Sequence, residues 1–287
     1  MILDRLTGKR RRMPAGPPAP AVPAKLDWIR SDDPTPRLTW IGHASYLASL
    51  GGRHFLFDPV FSNRIATVVR RHGPPGLLPD QLPPIDATFI SHVHYDHLDR
   101  RSILALPEDM PFVVPVGVGA FLRGWGRNRV HELEWWQSVE LDSARVTLVP
   151  AQHWSRRTLG DTNRTLWGGF VVETDRGTVY HAGDSSAFDG FAEIGRRFPG
   201  MLAAMLPIGS YDPPWFMEHF HLNPEQAGEA FLSLGARQLA PMHWGAFRLT
   251  DEALAEPMQR MRAWWDEQRP AGRQLHCLSV GETVELA

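Results

Sequence analysis

Ser91-His92-Val93-His94-Tyr95-Asp96-His97-Leu98-Asp99 is the stretch on which the reading of this chain turns. It places imidazoles at 92, 94 and 97 and carboxylates at 96 and 99, directly behind the apolar, strand-like run Ala87-Thr88-Phe89-Ile90. Neutral imidazole and carboxylate are donors that suit zinc and its first-row neighbours, and no structural role calls for so many together. Side chains alternate with period two in an extended segment, so His92 and His94 point the same way and can grip one ion. Asp96 and His97 follow where the chain should turn into a helix carrying Leu98, Ile103 and Leu104, and there they can face a second ion. A polar turn of merely hydrogen-bonded histidines is the weaker alternative, because the motif fits its strand-to-helix context.

Three later strand-like runs also end near a metal-type donor. Arg145 to Val149 leads to His153, Thr178 to His181 leads to Asp184, and Gln238 to Met242 leads to His243. All can converge on one edge of the sheets, where binding sites sit on rigid elements. The set is too large for one tetrahedral ion and right for two. His92, His94 and His153 are assigned to the first metal, Asp96, His97 and His243 to the second, with Asp184 bridging. Two ions so held clamp the attacking and leaving oxygens of a displacement, and hydrolysis is the expected chemistry. Asp58, closing a strand before Pro59, either orients a ligand histidine from behind or caps the following turn. His43, between Gly42 and Ala44, reads as a hydrogen-bonded loop histidine. Histidines 54, 72, 131, 181, 219 and 276 carry no such spacing and read as surface or hydrogen-bonded residues.

The chain has 287 residues, 43% of them apolar and 22% charged, with a formal charge of −2. That describes an ordinary globular protein with room for a substantial core, and a nucleic-acid partner is not expected without a basic excess. The single cysteine, Cys277, excludes an intrachain disulfide and a thiolate cluster. Lys9 to Arg12 precede a Pro-rich stretch rather than an apolar one, so a signal peptide is not expected and the cytoplasm is the default. Residues 1–25 read as a flexible Pro/Arg-rich arm.

From Arg37 onward short apolar runs are broken by Gly, Pro and Asp. Leu38 to Ile41, Ser45 to Leu50 and His54 to Phe57 read as a meander turned by Gly51-Gly52. Helices are expected at Arg100 to Leu106, Phe188 to Phe198, Pro224 to Leu234 and Thr250 to Trp265, and final strands within Gln274 to Glu285. Strands come in clusters between helices, which implies an α/β fold of two sheets with helices outside. The donors run from 92 to 243, so residues 26–287 are expected to form one integrated domain.

The motif with His153, Asp184 and His243 in that order resembles the metallo-β-lactamase superfamily, whose fold is a four-layer αβ/βα sandwich with two mixed β-sheets. Flanking sequence is more specific. Trp40-Ile41-Gly42-His43-Ala44, Phe57-Asp58-Pro59, Gln152-His153-Trp154, Pro207-Ile208-Gly209, Trp215-Phe216-Met217 and His243-Trp244-Gly245 look like the N-acylphosphatidylethanolamine-hydrolysing phospholipase D family. The resemblance implies a binuclear phosphodiesterase in which a metal-bridging hydroxide attacks phosphorus, releasing an N-acylethanolamine and phosphatidic acid. Another bond, in a sugar-phosphate lactone or small phosphodiester, is the alternative. Two divalent ions are implied, zinc first, with manganese and iron(II) compatible with the same donors. Asp96, Asp184 and His221 would be catalytic. Tyr95 and Arg157 would contact phosphate oxygens, and His221 would bind phosphate or help the leaving alkoxide gain its proton. Trp215, Phe216 and Met217 would line an acyl-chain entrance. The implied partners are a phospholipid or other phosphodiester substrate, a membrane surface touched peripherally, and a second copy of the chain as a homodimer. Ser185-Ser186 stands where that family has a Gly-Tyr pair, and Arg100 where it has an aromatic.

Overall fold

The computed structural model describes residues 16–31, 33–142 and 144–286. Its strands are β1 (Arg37–Gly42), β2 (Ser45–Leu50), β3 (Arg53–Phe57), β4 (Arg64–Ile65), β5 (Val69–Arg70), β6 (Ala87–Phe89), β7 (Phe112–Pro115) and β8 (Val130–Leu133). The second half adds β9 (Ser138–Leu141), β10 (Ala144–Val149), β11 (Gly169–Thr174), β12 (Gly177–His181), β13 (Ala203–Pro207), β14 (Gln238–Met242), β15 (Gln274–Leu275) and β16 (Thr283–Glu285). They pair as two seven-stranded mixed sheets, ordered β16-β1-β2-β3-β6-β7-β8 and β15-β14-β13-β12-β11-β10-β9, with β4 and β5 as a separate hairpin.

Both faces of each central strand are covered, and the alternation shows how. In β2 and β3, Tyr46, Ala48, Phe55 and Phe57 join the core between the sheets, whereas Leu47 and Leu56 join Ile103 and Leu122 from helices on the other face. Phe89 of the first sheet meets Phe170 of the second at 5.1 Å, and Phe57 stacks on His181 at 4.9 Å. Each fully buried phenylalanine at this interface contributes roughly 1.5–3 kcal/mol. Phe191, Ile194, Phe231, Met258 and Trp264 bring the helices of the second half into the same core. The result is the expected four-layer arrangement.

Strand direction explains where the site lies. β3 runs parallel to β6, and β1 is antiparallel to β2, which is antiparallel to β3. β12, β13 and β14 are parallel, and β10 is two antiparallel steps from β12. The C-terminal ends of β1, β3 and β6 therefore leave one edge of the first sheet, and those of β10, β12, β13 and β14 leave one edge of the second. Where the two edges meet, the Tyr46 hydroxyl donates to the Pro241 carbonyl and the His243 N–H donates to the His43 carbonyl.

The helix Pro224–Leu234 has the expected bounds: Asn223 and Gln226 form a reciprocal capping box, with Pro224 in the first turn. The last helix covers Glu256–Gln268 instead of starting at Thr250. Thr250 and Glu252 are drawn off the helix, because the Glu252 carboxylate accepts from the Ser210 and Asp212 N–H groups and the Thr250 hydroxyl. The expected final strands separate, β15 joining the second sheet and β16 the first. Of the arm, residues 1–15 lie outside the described residues, while 16–25 are extended but tied down, which corrects the expectation of an unpacked segment. The Ala19 N–H donates to Gly245 O, the Val22 N–H to Val280 O, and the Val280 N–H to Pro20 O. A Cβ on Gly245 would sit 2.6 Å from that of Ala19, so glycine at 245 is what admits the arm.

Candidate metal centre

The motif leaves β6 as a tight turn, and most of its histidines are oriented by a hydrogen bond on the nitrogen that faces away from the site. The His92 Nδ1 donates to Ser91 Oγ at 2.9 Å, and Ser91 Oγ donates to Asp58 Oδ2 at 2.6 Å. The His97 Nδ1 donates directly to Asp58 Oδ2 at 2.7 Å. The His153 Nδ1 donates to the Phe220 carbonyl at 2.9 Å, and the His243 Nδ1 lies 3.4 Å from Ser210 Oγ. Each of these four rings thus presents Nε2 inward. Of the two readings of Asp58, the structure supports histidine orientation: it acts on His97 directly and on His92 through Ser91.

His94 presents Nδ1, which lies 2.8 Å from His92 Nε2 and 3.2 Å from His153 Nε2. Asp184 stands between the two halves, its Oδ2 3.7 Å from both His92 and His153 and 3.1 Å from His97, its Oδ1 3.1 Å from His243. Gly183 delivers it: φ is +61°, and a Cβ there would meet the Ser91 side chain at 2.7 Å. The donor atoms of His92, His94, His153 and Asp184 lie within 4.8 Å of one another, as do those of His43, Asp96, His97 and His243. Apart from His43, these are the two sets expected from the sequence. A third group joins Asp184 and His243 to His221.

The donors fit a metal. His97 Nε2, His243 Nε2 and Asp184 Oδ1 are buried and make no hydrogen bond, although His243 Nε2 lies 3.1 Å from Asp184 Oδ1 and His97 Nε2 3.1 Å from Asp184 Oδ2. Lone pairs that converge without hydrogen-bond geometry are arranged for a shared cation. Electrostatics agree. Burial pushes His92 and His153 well below the usual imidazole range, leaving their nitrogens free to ligate. Burial also opposes charge on His97 and His243, but Asp184 and Asp96 outweigh it, holding His97 well above its ordinary value and His243 at about 9. Both carboxylates resist the upward push of burial and stay well below the usual range because imidazoles surround them. The carboxylate side of the site therefore draws positive charge.

Backbone conformation is unusual at four supporting positions. His43, Asp58, Ser210 and His243 have φ of 55°, 39°, 68° and 64°, in the left-handed region. Such residues persist only when the surrounding structure over-determines them, and they gather at functional sites.

Above the donors opens a cleft of about 530 Å³ lined by Ile65, Val69, Tyr95, Phe216, Met217 and Leu249 among others. His221 lines it too, buried and with its Nδ1 unpartnered; burial brings its pKa down to about 4. Arg157 reaches the cleft, but its Nη1 donates to the carbonyls of Val93 (2.9 Å) and Leu98 (2.7 Å), and the guanidinium lies 4.2 Å over the Tyr95 ring. The expected phosphate contact gives way, for that nitrogen, to a brace across the metal-binding turn. Tyr95 stands on the rim and donates to the Arg157 carbonyl at 3.1 Å. Phe216 and Met217 face the cleft as expected, whereas Trp215 stands beside it, 69% exposed. Ser185 and Ser186 stitch neighbouring loops: Ser185 Oγ accepts from Gln152 N, and Ser185 O accepts from Leu222 N. His43 is the hydrogen-bonded loop histidine expected from the sequence, with its Nε2 3.0 Å from Asp96 Oδ2; its place among the donors was not expected, because it depends on strand order.

A two-sheet sandwich that brings buried imidazoles and carboxylates to the junction of its sheet edges has the architecture of a metal-binding protein, and its relatives make that class metal-dependent hydrolases. The profile of the beta-lactamase superfamily domain matches residues 53–244, and the chain belongs to this metallo-β-lactamase superfamily. It is 38% identical over 265 residues to an uncharacterized protein of Mycobacterium tuberculosis, covering 88% of this chain and 70% of the relative. It is 34% identical over 246 residues to the N-acyl-phosphatidylethanolamine-hydrolyzing phospholipase D 1 of Caenorhabditis elegans, covering 79% and 69% of the two chains. Among solved structures, a metallo hydrolase of Ignicoccus hospitalis shares the fold with a TM-score of 0.65 at 24% identity, over 87% of this chain and 97% of that one.

Proposed function

We propose that the protein is a phosphodiesterase of phospholipase D type, acting on N-acylphosphatidylethanolamine or a similar phospholipid. The observation that carries the reading is the apolar wall of Ile65, Val69, Phe216, Met217 and Leu249 standing directly over the donor set. A phosphodiester with apolar chains matches that combination, since its charged group seeks the floor and its chains seek the wall. The likeness to the nematode phospholipase supports the same substrate class.

His92, His94 and His153 would hold one divalent ion and Asp96, His97 and His243 a second, with Asp184 offering an oxygen to each; zinc suits these donors. When bound, two such ions supply Lewis acidity, withdrawing charge from a phosphoryl oxygen and lowering the pKa of water. Asp58 and Ser91 keep the ligand rings in one tautomer and one orientation. Arg157 holds the turn between Val93 and Leu98, and so the spacing of His94, Asp96 and His97. His221, with an unpartnered Nδ1 at the cleft, is placed to bind phosphate or to pass a proton to the leaving alkoxide.

Three side chains near the mouth extend the reading to a lipid surface. Leu159, Val68 and Trp215 are 96%, 73% and 69% exposed; Leu159 lines the cleft, Val68 adjoins the lining residue Val69, and Trp215, on the short helix Pro214–Met217, adjoins Phe216. Apolar side chains so placed can dip into a membrane interface while the substrate is drawn in. Among the described residues no helix is long and apolar enough to cross a membrane.

Product analysis tests the proposal. The metal-loaded protein is given N-acylphosphatidylethanolamine, an aryl phosphodiester and a sugar-phosphate lactone in parallel. Release of phosphatidic acid from the first is expected; turnover of the lactone alone would overturn the reading.

A further inference from the structure

His43 lies among the metal-type donors without having been assigned to them. Its ring is 1% exposed and packs 4.0 Å from that of His243, with Phe247 edge-on at 5.1 Å. Its Nε2 is 3.0 Å from Asp96 Oδ2. A carboxylate oxygen can only accept, so the Nε2–H donates, and the Nδ1, buried and without a hydrogen bond, carries the bare lone pair. That tautomer makes His43 a donor to a ligand.

The backbone of the same residue reaches a different ligand. The His43 carbonyl accepts from the His243 N–H at 3.1 Å and from the Trp40 indole at 3.0 Å. The irregular pairing of β1 with β2 between Trp40 and Gly42 aims the ring at Asp96, and φ of +55° holds it there. One residue thus fixes Asp96 through its side chain and His243 through its main chain. Of these two ligands of the second set, Asp96 follows a strand of the first sheet and His243 a strand of the second.

We infer that His43 is a positioning residue for the second metal position, orienting the Asp96 carboxylate by donating Nε2–H to Oδ2. The inference rests on the two-ion reading above. It explains why a histidine, and not a smaller residue, closes β1: the ring spans from the first strand to the motif turn, and histidine tolerates the left-handed backbone.

The test is titration of the metal-stripped protein with Co2+, following each equivalent by its visible absorption and by competition with a chelator. Wild type should bind two equivalents. His43→Asn keeps a residue at ease with this φ but shortens the donor; the first step should be unchanged and the second weakened by about 10–100-fold, the cost of losing a ligand's supporting partner. His43→Gln, which keeps an N–H at longer reach, should restore part of that loss. Asp96→Ala and the Asp96→Ala/His43→Asn double variant should bind the second ion equally weakly, because His43 acts only through Asp96. His43→Gly replaces His43→Asn if circular dichroism shows the latter unfolded. Wild-type affinity at both steps in the variant, equal weakening of both, or an additive loss in the double variant would each overturn the inference, the last by making His43 an independent ligand. Uptake of a single Co2+ by wild type would overturn the two-ion reading itself, a distinct result.

Discussion

On the floor of the cleft, His92, His97, His153 and His243 each direct Nδ1 to a fixed partner, and none is more than 6% exposed. On the rim, Leu159, Val68 and Trp215 are largely bare, and the arginine beside the metal-binding turn faces inward to brace it. The floor is over-determined by hydrogen bonds from several strand ends, whereas the rim is carried on a loop, a two-strand hairpin and the short helix Pro214–Met217. Under the proposed function, chemistry is set by the sheets, and the choice of substrate is left to the connections between them.

The sharpest break in that division would come from the floor itself. Asp184→Asn and His94→Ala should each lower turnover by more than about a hundredfold, beyond the usual cost of losing a supporting partner. Circular dichroism should still report a folded protein, and a variant with full activity would remove the floor from the chemistry. Next comes the support beneath it. Asp58→Asn keeps the shape but gives up the charge that holds His97 and, through Ser91, His92; metal affinity measured against a chelator should fall by about 10–100-fold. No change would mean that the rings are oriented by packing alone. The smallest effect belongs to the rim. Trp215→Ala and Leu159→Ala should leave stability within about 0.5 kcal/mol and slow turnover of vesicle-held substrate by up to about tenfold, while a soluble aryl phosphodiester is cleaved as before. Equal loss on both substrates would abolish the distinction between floor and rim.

The same division describes what could be read from the sequence. His92 through His97 announce themselves by residue type and local period, and His153, Asp184 and His243 by standing just past apolar runs. Strand neighbours are a different matter. That β1 and β6 end on the same edge of the sheet follows only from the pairing β1-β2-β3-β6, and no residue pattern around His43 encodes that order. Asp58 had two uses of similar standing, and only the position of His97 decides between them. Arg157 shows the limit most clearly. A guanidinium close to a run of metal donors suggests a substrate contact, yet the bonds of its Nη1 to the Val93 and Leu98 carbonyls depend on the fold of the turn, and no pattern of residue types encodes that. Helix Pro224–Leu234, with its cap, first-turn proline and Gly235 stop, was fully encoded locally; the start of Glu256–Gln268 was not, because Glu252 answers to the loop at Ser210 instead.

The left-handed backbone at His43, Asp58, Ser210 and His243 has a consequence for how this protein can vary. At each position two independent demands fall on one codon: a particular donor or acceptor, and tolerance of a conformation that β-branched residues reject. A random library at these four sites should return a narrow spectrum, centred on the native His, Asp and Ser with Asn and Gly next, and with Val and Ile purged twice over. Drift in such a lineage is channelled toward rim side chains such as Leu159 and Trp215, whose backbone is not left-handed.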